Sequence, residues 1–93
     1  MTQNDLKSER LAVSGYTTGN LNDREREYYK TSTGWAPGDP SHMHDLVDTW
    51  LFQRGATVGS INDRWLSFLR GEGYSGHLSD MMASWWTEPA PLP

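Results

Sequence analysis

The chain has no cysteine. Disulfides and thiolate-bound metals are therefore excluded, and the sequence carries no redox information about its compartment. Cations are also scarce: eight Lys and Arg stand against twelve Asp and Glu, a net charge of −4. That balance disfavours sequence-independent binding of nucleic acid, whose affinity comes mainly from cations neutralising phosphates. The shortage is uneven along the chain. Residues 1–38 balance five acids (Asp5, Glu9, Asp23, Glu25, Glu27) with five bases (Lys7, Arg10, Arg24, Arg26, Lys30). In 39–93, seven acids (Asp39, Asp45, Asp48, Asp63, Glu72, Asp80, Glu88) face only Arg54, Arg64 and Arg70. An anionic surface is expected on that half.

Long apolar runs are missing too. The opening "MTQNDLKSER" does not lead from a basic stretch into an apolar core, so it does not read as a secretory signal, and no run is long enough to span a bilayer. The expectation is a soluble protein made in the cytoplasm, with no membrane partner. Hydrophobic residues make up only 35% of the chain, and no segment sustains strand alternation. What the chain does have is aromatic area, five Trp, four Tyr and two Phe in 93 residues, so a few large side chains must pack one small core.

Nearly the same phrase occurs three times: "GYTTGNLNDREREYY" (15–29), "GATVGSINDRWLSFL" (55–69) and "GYSGHLSDMMASWW" (73–86). Each copy reads as one helix ending and another beginning. Gly15, Gly55 and Gly73 suit the left-handed residue after a helix, and a second glycine (Gly19, Gly59, Gly76) completes each turn. Asn20 and Ser60 suit the N-cap, with Asp23 and Asp63 as capping-box partners three residues on. In the third copy His77, a weaker cap, precedes Asp80. Beyond the caps the copies align on a helical stripe at i, i+4, i+7 and i+8. It holds Ile61, Trp65, Phe68 and Leu69 in the middle copy and Leu78, Met82, Trp85 and Trp86 in the last. The first copy has Leu21, Glu25, Tyr28 and Tyr29, a more polar stripe expected to pack loosely or at an edge.

Asp39 as N-cap and Pro40 at the first helical position predict a further helix with Met43, Leu46, Val47, Trp50 and Leu51 on one face. A weaker helix is expected over 4–13, with Leu6 and Leu11 as apolar contacts. The expected fold is all-α: about five short helices in repeated helix–glycine turn–helix units, neighbours stacked in series to bury each other's stripes within residues 1–88. Residues 31–40 read as a turn-rich connector, and "PAPLP" (89–93) as an extended Pro-rich tail.

The chemical constellations are weak. Residues 46–69 suggest a helix–turn–helix, yet the second helix offers a duplex only Arg64, Arg70 and Asn62 within an acidic half. His42 and His44, two apart, point to different faces, whereas helical metal ligands prefer i and i+4. Asp23, Asp63 and Asp80 are explained as cap partners, and separate helix starts give them no reason to converge as paired carboxylates. With no nucleophile–base pattern, phosphate loop or cofactor fingerprint, the expectation is a protein without catalysis, cofactor or metal. Partner contacts are expected from Trp35 in the Gly/Pro connector, Trp86, the first-copy tyrosines Tyr28 and Tyr29, and Pro91 and Leu92 of the tail. Tryptophan is a frequent interface anchor and also stacks on sugar rings.

The repeated phrase resembles the short G-x-x-G-[SN]-[LI]-N-D helical repeats of structural proteins of tailed bacteriophages, especially those of actinobacterial hosts. The resemblance covers 15–29 and 50–86, with His77 and Ser79 departing from the usual cap and Asn, and Arg24 to Glu27 making the first helix unusually charged. It implies a non-enzymatic virion protein that contacts other virion proteins and its own copies in a symmetric assembly. A tail-associated or minor tail protein is the first expectation and a capsid decoration or minor capsid protein the second. A cell-wall or carbohydrate-binding module is a further alternative.

Overall fold

The first amides of a helix have no partner within it, and short polar side chains supply them here. The computed structural model describes residues 2–88 and Leu92, which form five helices and no strand: α1 (Gln3–Val13), α2 (Leu21–Thr33), α3 (Met43–Gln53), α4 (Ile61–Gly71) and α5 (Leu78–Trp86). At α2 and α4 the expected boxes close. Asn20 and Ser60 accept from the N–H of Asp23 and Asp63 at 2.8 and 3.2 Å, and the two aspartates accept from the cap amides at 3.3 and 3.1 Å. Thr2 and Asp5 form the same box at α1. At α5 His77 makes no side-chain cap bond, which leaves Asp80 outside any box.

The start of α3 departs from expectation. Asp39 does not cap it; its carboxylate accepts from the Ala36 amide at 2.9 Å while its own amide bonds the Ala36 carbonyl at 3.0 Å, closing a local turn. With Asp39 satisfied there, Pro40 stays outside the helix, which begins at Met43 after an uncapped His42.

Helix ends follow one plan. The residue after the glycine donates back to a carbonyl five positions earlier: Tyr16 to Leu11 at 2.9 Å, Ala56 to Leu51 at 3.0 Å and Tyr74 to Leu69 at 3.1 Å. This pattern needs a left-handed residue at the glycine, and Gly55 supplies it with φ +85. All three leucines are fully buried. Each is worth roughly 1.5–3 kcal/mol of burial, so each of these three stop signals is tied to a core anchor. A fourth stop of this kind ends α2 at Gly34, with Trp35 donating to Lys30 at 3.0 Å.

Gly59 is constrained twice. Its φ is +91, and a Cβ there would lie 2.7 Å from Asp63 Oδ2. The turn glycine therefore makes room for the carboxylate that caps the next helix.

Each helix packs on its neighbours in sequence, and α5 returns to α1. The units stack in series, the α5–α1 contact closes them into a ring, and a radius of gyration of 12.9 Å fits one domain. Closure lets both chain ends contribute to one core. Trp50, 0% exposed, sits at its centre, with ring centroids of Tyr29, Trp65, Phe68 and Trp85 at 5.8, 5.3, 5.0 and 5.6 Å. Leu46, Leu51, Trp65, Phe68, Leu69 and Trp85 are buried as expected, while Ile61 and Leu78 are partly covered at the margin.

Two expectations about the stripes are corrected. Tyr28 and Tyr29 are not at a loose edge but 2% and 1% exposed, because α2 packs broadly on α3 and carries its rings to Trp50. On α5 the fully buried methionine is Met81, with Met82 only partly covered. Wedged between α4 and α1, that helix buries a broad face that the simple stripe misplaces.

Candidate interaction site

Of the residues expected to meet partners, three lie in the interior. Tyr28 and Tyr29 belong to the core, and Trp86, 1% exposed, packs edge-on to Trp85 at 4.7 Å where α5 meets α1. Trp35 is partly buried in its own loop. Its Nε1 donates to the carbonyls of Asp39 and Pro40 at 3.1 and 3.2 Å, and the Lys30 ammonium lies 4.5 Å from its ring centroid. Leu92 folds back on its own domain, its amide donating to Ser14 Oγ at 2.9 Å and its side chain packing on the core. Pro91 lies outside the described residues.

The arginines have a role that the sequence pattern did not announce. Arg24 on α2 donates to the Tyr16 carbonyl at 2.8 Å and, at 2.7 Å, to the Ser8 carbonyl on α1. Arg64, its counterpart in the middle copy, donates to the Gly59 carbonyl at 3.1 Å and pairs with Asp48 on α3. Arg54 bonds Ser32 on α2 at 2.8 Å and stacks 3.8 Å over Trp50. Arg10, 6% exposed, donates to the Trp85 carbonyl at the end of α5 and stacks on that indole. A cation at a helix C-terminus also meets a favourable dipole. One arginine thus fastens every joint of the ring except α4–α5, where buried Met81 occupies the position equivalent to Arg24 and Arg64. That equivalence in the repeat was the signal that would have revealed the role.

Lys7 pairs with Glu25 at 3.2 Å and Lys30 with Glu27 at 3.6 Å. Arg26 and Arg70 take no part in these joints. Arg70 is exposed, whereas Arg26 lines an open cavity of about 530 Å³ at the first turn, with Tyr16, Thr17, Thr18, Arg24 and Glu27 among its neighbours. The Arg26 Nε is buried with no hydrogen-bond partner among the described residues, as is Trp86 Nε1.

Apolar contact area lies elsewhere on the surface. Val13, Phe52 and Val58 are 66%, 62% and 83% exposed. His42 reaches Asp45 at 3.5 Å from a nearly fully exposed position, and among the described residues no three His, Asp or Glu side chains gather as a metal would require. No helix among the described residues is long and apolar enough to cross a membrane.

Burial lowers the Arg10 and Arg54 guanidiniums and raises three tyrosines. Burial pushes Tyr28 above its ordinary value and Tyr29 well above it. Tyr74 is pushed up to about 12 by burial and by its bond to Glu88. The Thr2 backbone bond lowers the Asp5 carboxyl.

Fold and surface define a class: a small closed ring of five helices joined by capped glycine turns and arginine bridges. No protein-family profile, curated protein or solved structure matches the chain.

Proposed function

We propose that the chain is a non-enzymatic structural protein of a tailed-bacteriophage virion, tail-associated, acting through contacts with other virion proteins. The observation that carries this reading is the repeated phrase itself, which resembles the phage helical repeat and is built here as a stop-and-cap corner. The aspartates of its first two copies are occupied in capping boxes. Val13, Phe52 and Val58 add exposed apolar area of the kind that protein contacts use. Two features favour this reading over its rivals. Arg10, Arg24, Arg54 and Arg64 are engaged in internal joints, leaving little cationic surface for phosphates. Trp35 has its N–H bonded within its own loop and Lys30 against its ring, an arrangement poorly suited to stacking on a sugar.

The test is quantitative mass spectrometry of purified particles of the phage that encodes the chain. A small copy number relative to the major capsid protein is the expected result. A copy number near that of the capsid protein would instead assign it to capsid decoration. Absence from the particles would sink the virion reading altogether.

A further inference from the structure

The three copies of the phrase build the same corner but dress its outside differently. At the middle corner, Phe52 in the last turn of α3 and Val58 in the turn that follows are 62% and 83% exposed. Counted back from the two glycines of each turn, the first corner has Ala12 and Thr18 at these places and the last has Arg70 and Ser75. All three corners make the same bond from the residue after the first glycine to a buried leucine. The corner therefore forms without an apolar side chain at either position, which leaves Phe52 and Val58 without a part in building it. Large apolar side chains grouped in water mark contact surfaces.

The charge around this pair is negative. Asp45, Asp48 and Thr49 precede Phe52 at helical spacings that put them on its face of α3. The two carboxylate side chains are 42% and 45% exposed, and both line a cavity of about 380 Å³ that Trp35 and Thr49 also line. Asp48 holds Arg64 in the α3–α4 joint, so Asp45 is the carboxylate that a partner can engage without loosening the ring. Elsewhere in the same half Asp39, Asp63, Glu72, Asp80 and Glu88 are exposed, whereas Arg70 is the only exposed Lys or Arg among the described residues. A second copy thus has no basic rim to offer, and the net charge of −4 opposes its approach.

We propose that the outer face of the α3–α4 corner docks a cationic amphipathic segment of a different protein, apolar against Phe52 and Val58 and carrying Lys or Arg against Asp45 and Asp48. The apolar pair supplies the anchor, and the carboxylates select the sign of the partner's charge and speed its approach. This names the partner chemistry for the virion reading and rests on that reading only for the partner's identity, so a solution measurement without particles tests it separately.

The experiment is isothermal titration of the full chain with two synthetic helical peptides, one of Leu and Lys and the other identical except for Glu in place of Lys. Wild type is expected to bind the Lys peptide and not the Glu peptide. Phe52→Ala combined with Val58→Thr, which installs the residues of the first corner, should melt like wild type and bind the Lys peptide about tenfold or more weakly. Val58→Thr alone, a change in an exposed turn, should lower affinity by a smaller factor and repeats the test should the double variant fold poorly. Asp45→Asn should weaken binding severalfold and reduce its dependence on salt. Val13→Thr, which removes an exposed apolar side chain at another corner, should leave binding unchanged. No binding of the Lys peptide, equal binding of both peptides, or losses from Val13→Thr as large as those from the Phe52 and Val58 changes would each overturn the proposal. Sedimentation equilibrium supplies a further check: self-association of wild type that the Phe52 and Val58 changes abolish would give the face to a second copy and overturn it as well, whatever the particle analysis finds.

Discussion

The indole N–H of Trp50 on α3 points to the hydroxyl of Tyr28 on α2 at 3.0 Å, and the same hydrogen is shared with Ser32 Oγ at 3.1 Å. This bond fixes the orientation of the most central ring and ties α2, the helix of the polar first copy of the repeat, to α3. Trp50→Ala should remove that centre and cost about 3–5 kcal/mol, a large share of the stability of a small domain. Tyr28→Phe should cost only about 1 kcal/mol, because Ser32 still accepts. Urea denaturation monitored by fluorescence and circular dichroism checks both; comparable losses would show that Ser32 cannot substitute.

Gly59 and Asp63 act as a unit. Asp63→Ala should lose the α4 box and about 1 kcal/mol, whereas Asp80→Ala, with no box to lose, should cost a few tenths. Gly59→Ala adds a clash with Asp63 Oδ2 at 2.7 Å to the strain of a positive φ, so it should exceed Gly55→Ala, whose Cβ would meet nothing within 4 Å. Combining Gly59→Ala with Asp63→Ala should cost less than the sum of the two, since the clash disappears with the carboxylate. Strict additivity in thermal melts would refute the coupling.

Stability should fall at alkaline pH. The ordinary tyrosine value is 10.0, and in the fold burial holds Tyr29 well above it, so above pH 10 the native state binds more protons than the unfolded chain. The contribution is complete below that pH and is lost as pH rises toward the folded value, with a slope of up to about 1.4 kcal/mol per pH unit for this one group. Tyr29→Phe should flatten the decline. A wild-type stability that does not change between neutral pH and strongly alkaline conditions would contradict the burial of that hydroxyl.

Much of the fold was legible because its signals are local. A glycine stop, a polar cap and an aspartate three residues on act within one or two turns, so helix types, the joints at Gly15, Gly55 and Gly73, and the middle stripe from Trp65 to Leu69 could be read directly. The start of α3 was misread where two local interactions competed for one side chain: Asp39 satisfies the Ala36 amide instead of capping a helix. For the candidate site, residue types suited to contact were visible in the sequence, but their exposure was not. Arg26 stood out as part of a charged helix, while the burial of its unbonded Nε depends on how α2 meets the first turn.

The sequence alone determined an all-helical chain of repeated capped corners, since capping and turn geometry depend on residues a few positions apart. Tertiary structure decided that the corners close into a ring, that Tyr28, Tyr29 and Trp86 turn inward, and that four arginines bridge the joints while Arg26 faces a cavity. Those outcomes depend on which helix stands opposite each face. A stripe or a cation reads the same in sequence whether it meets a neighbour or water.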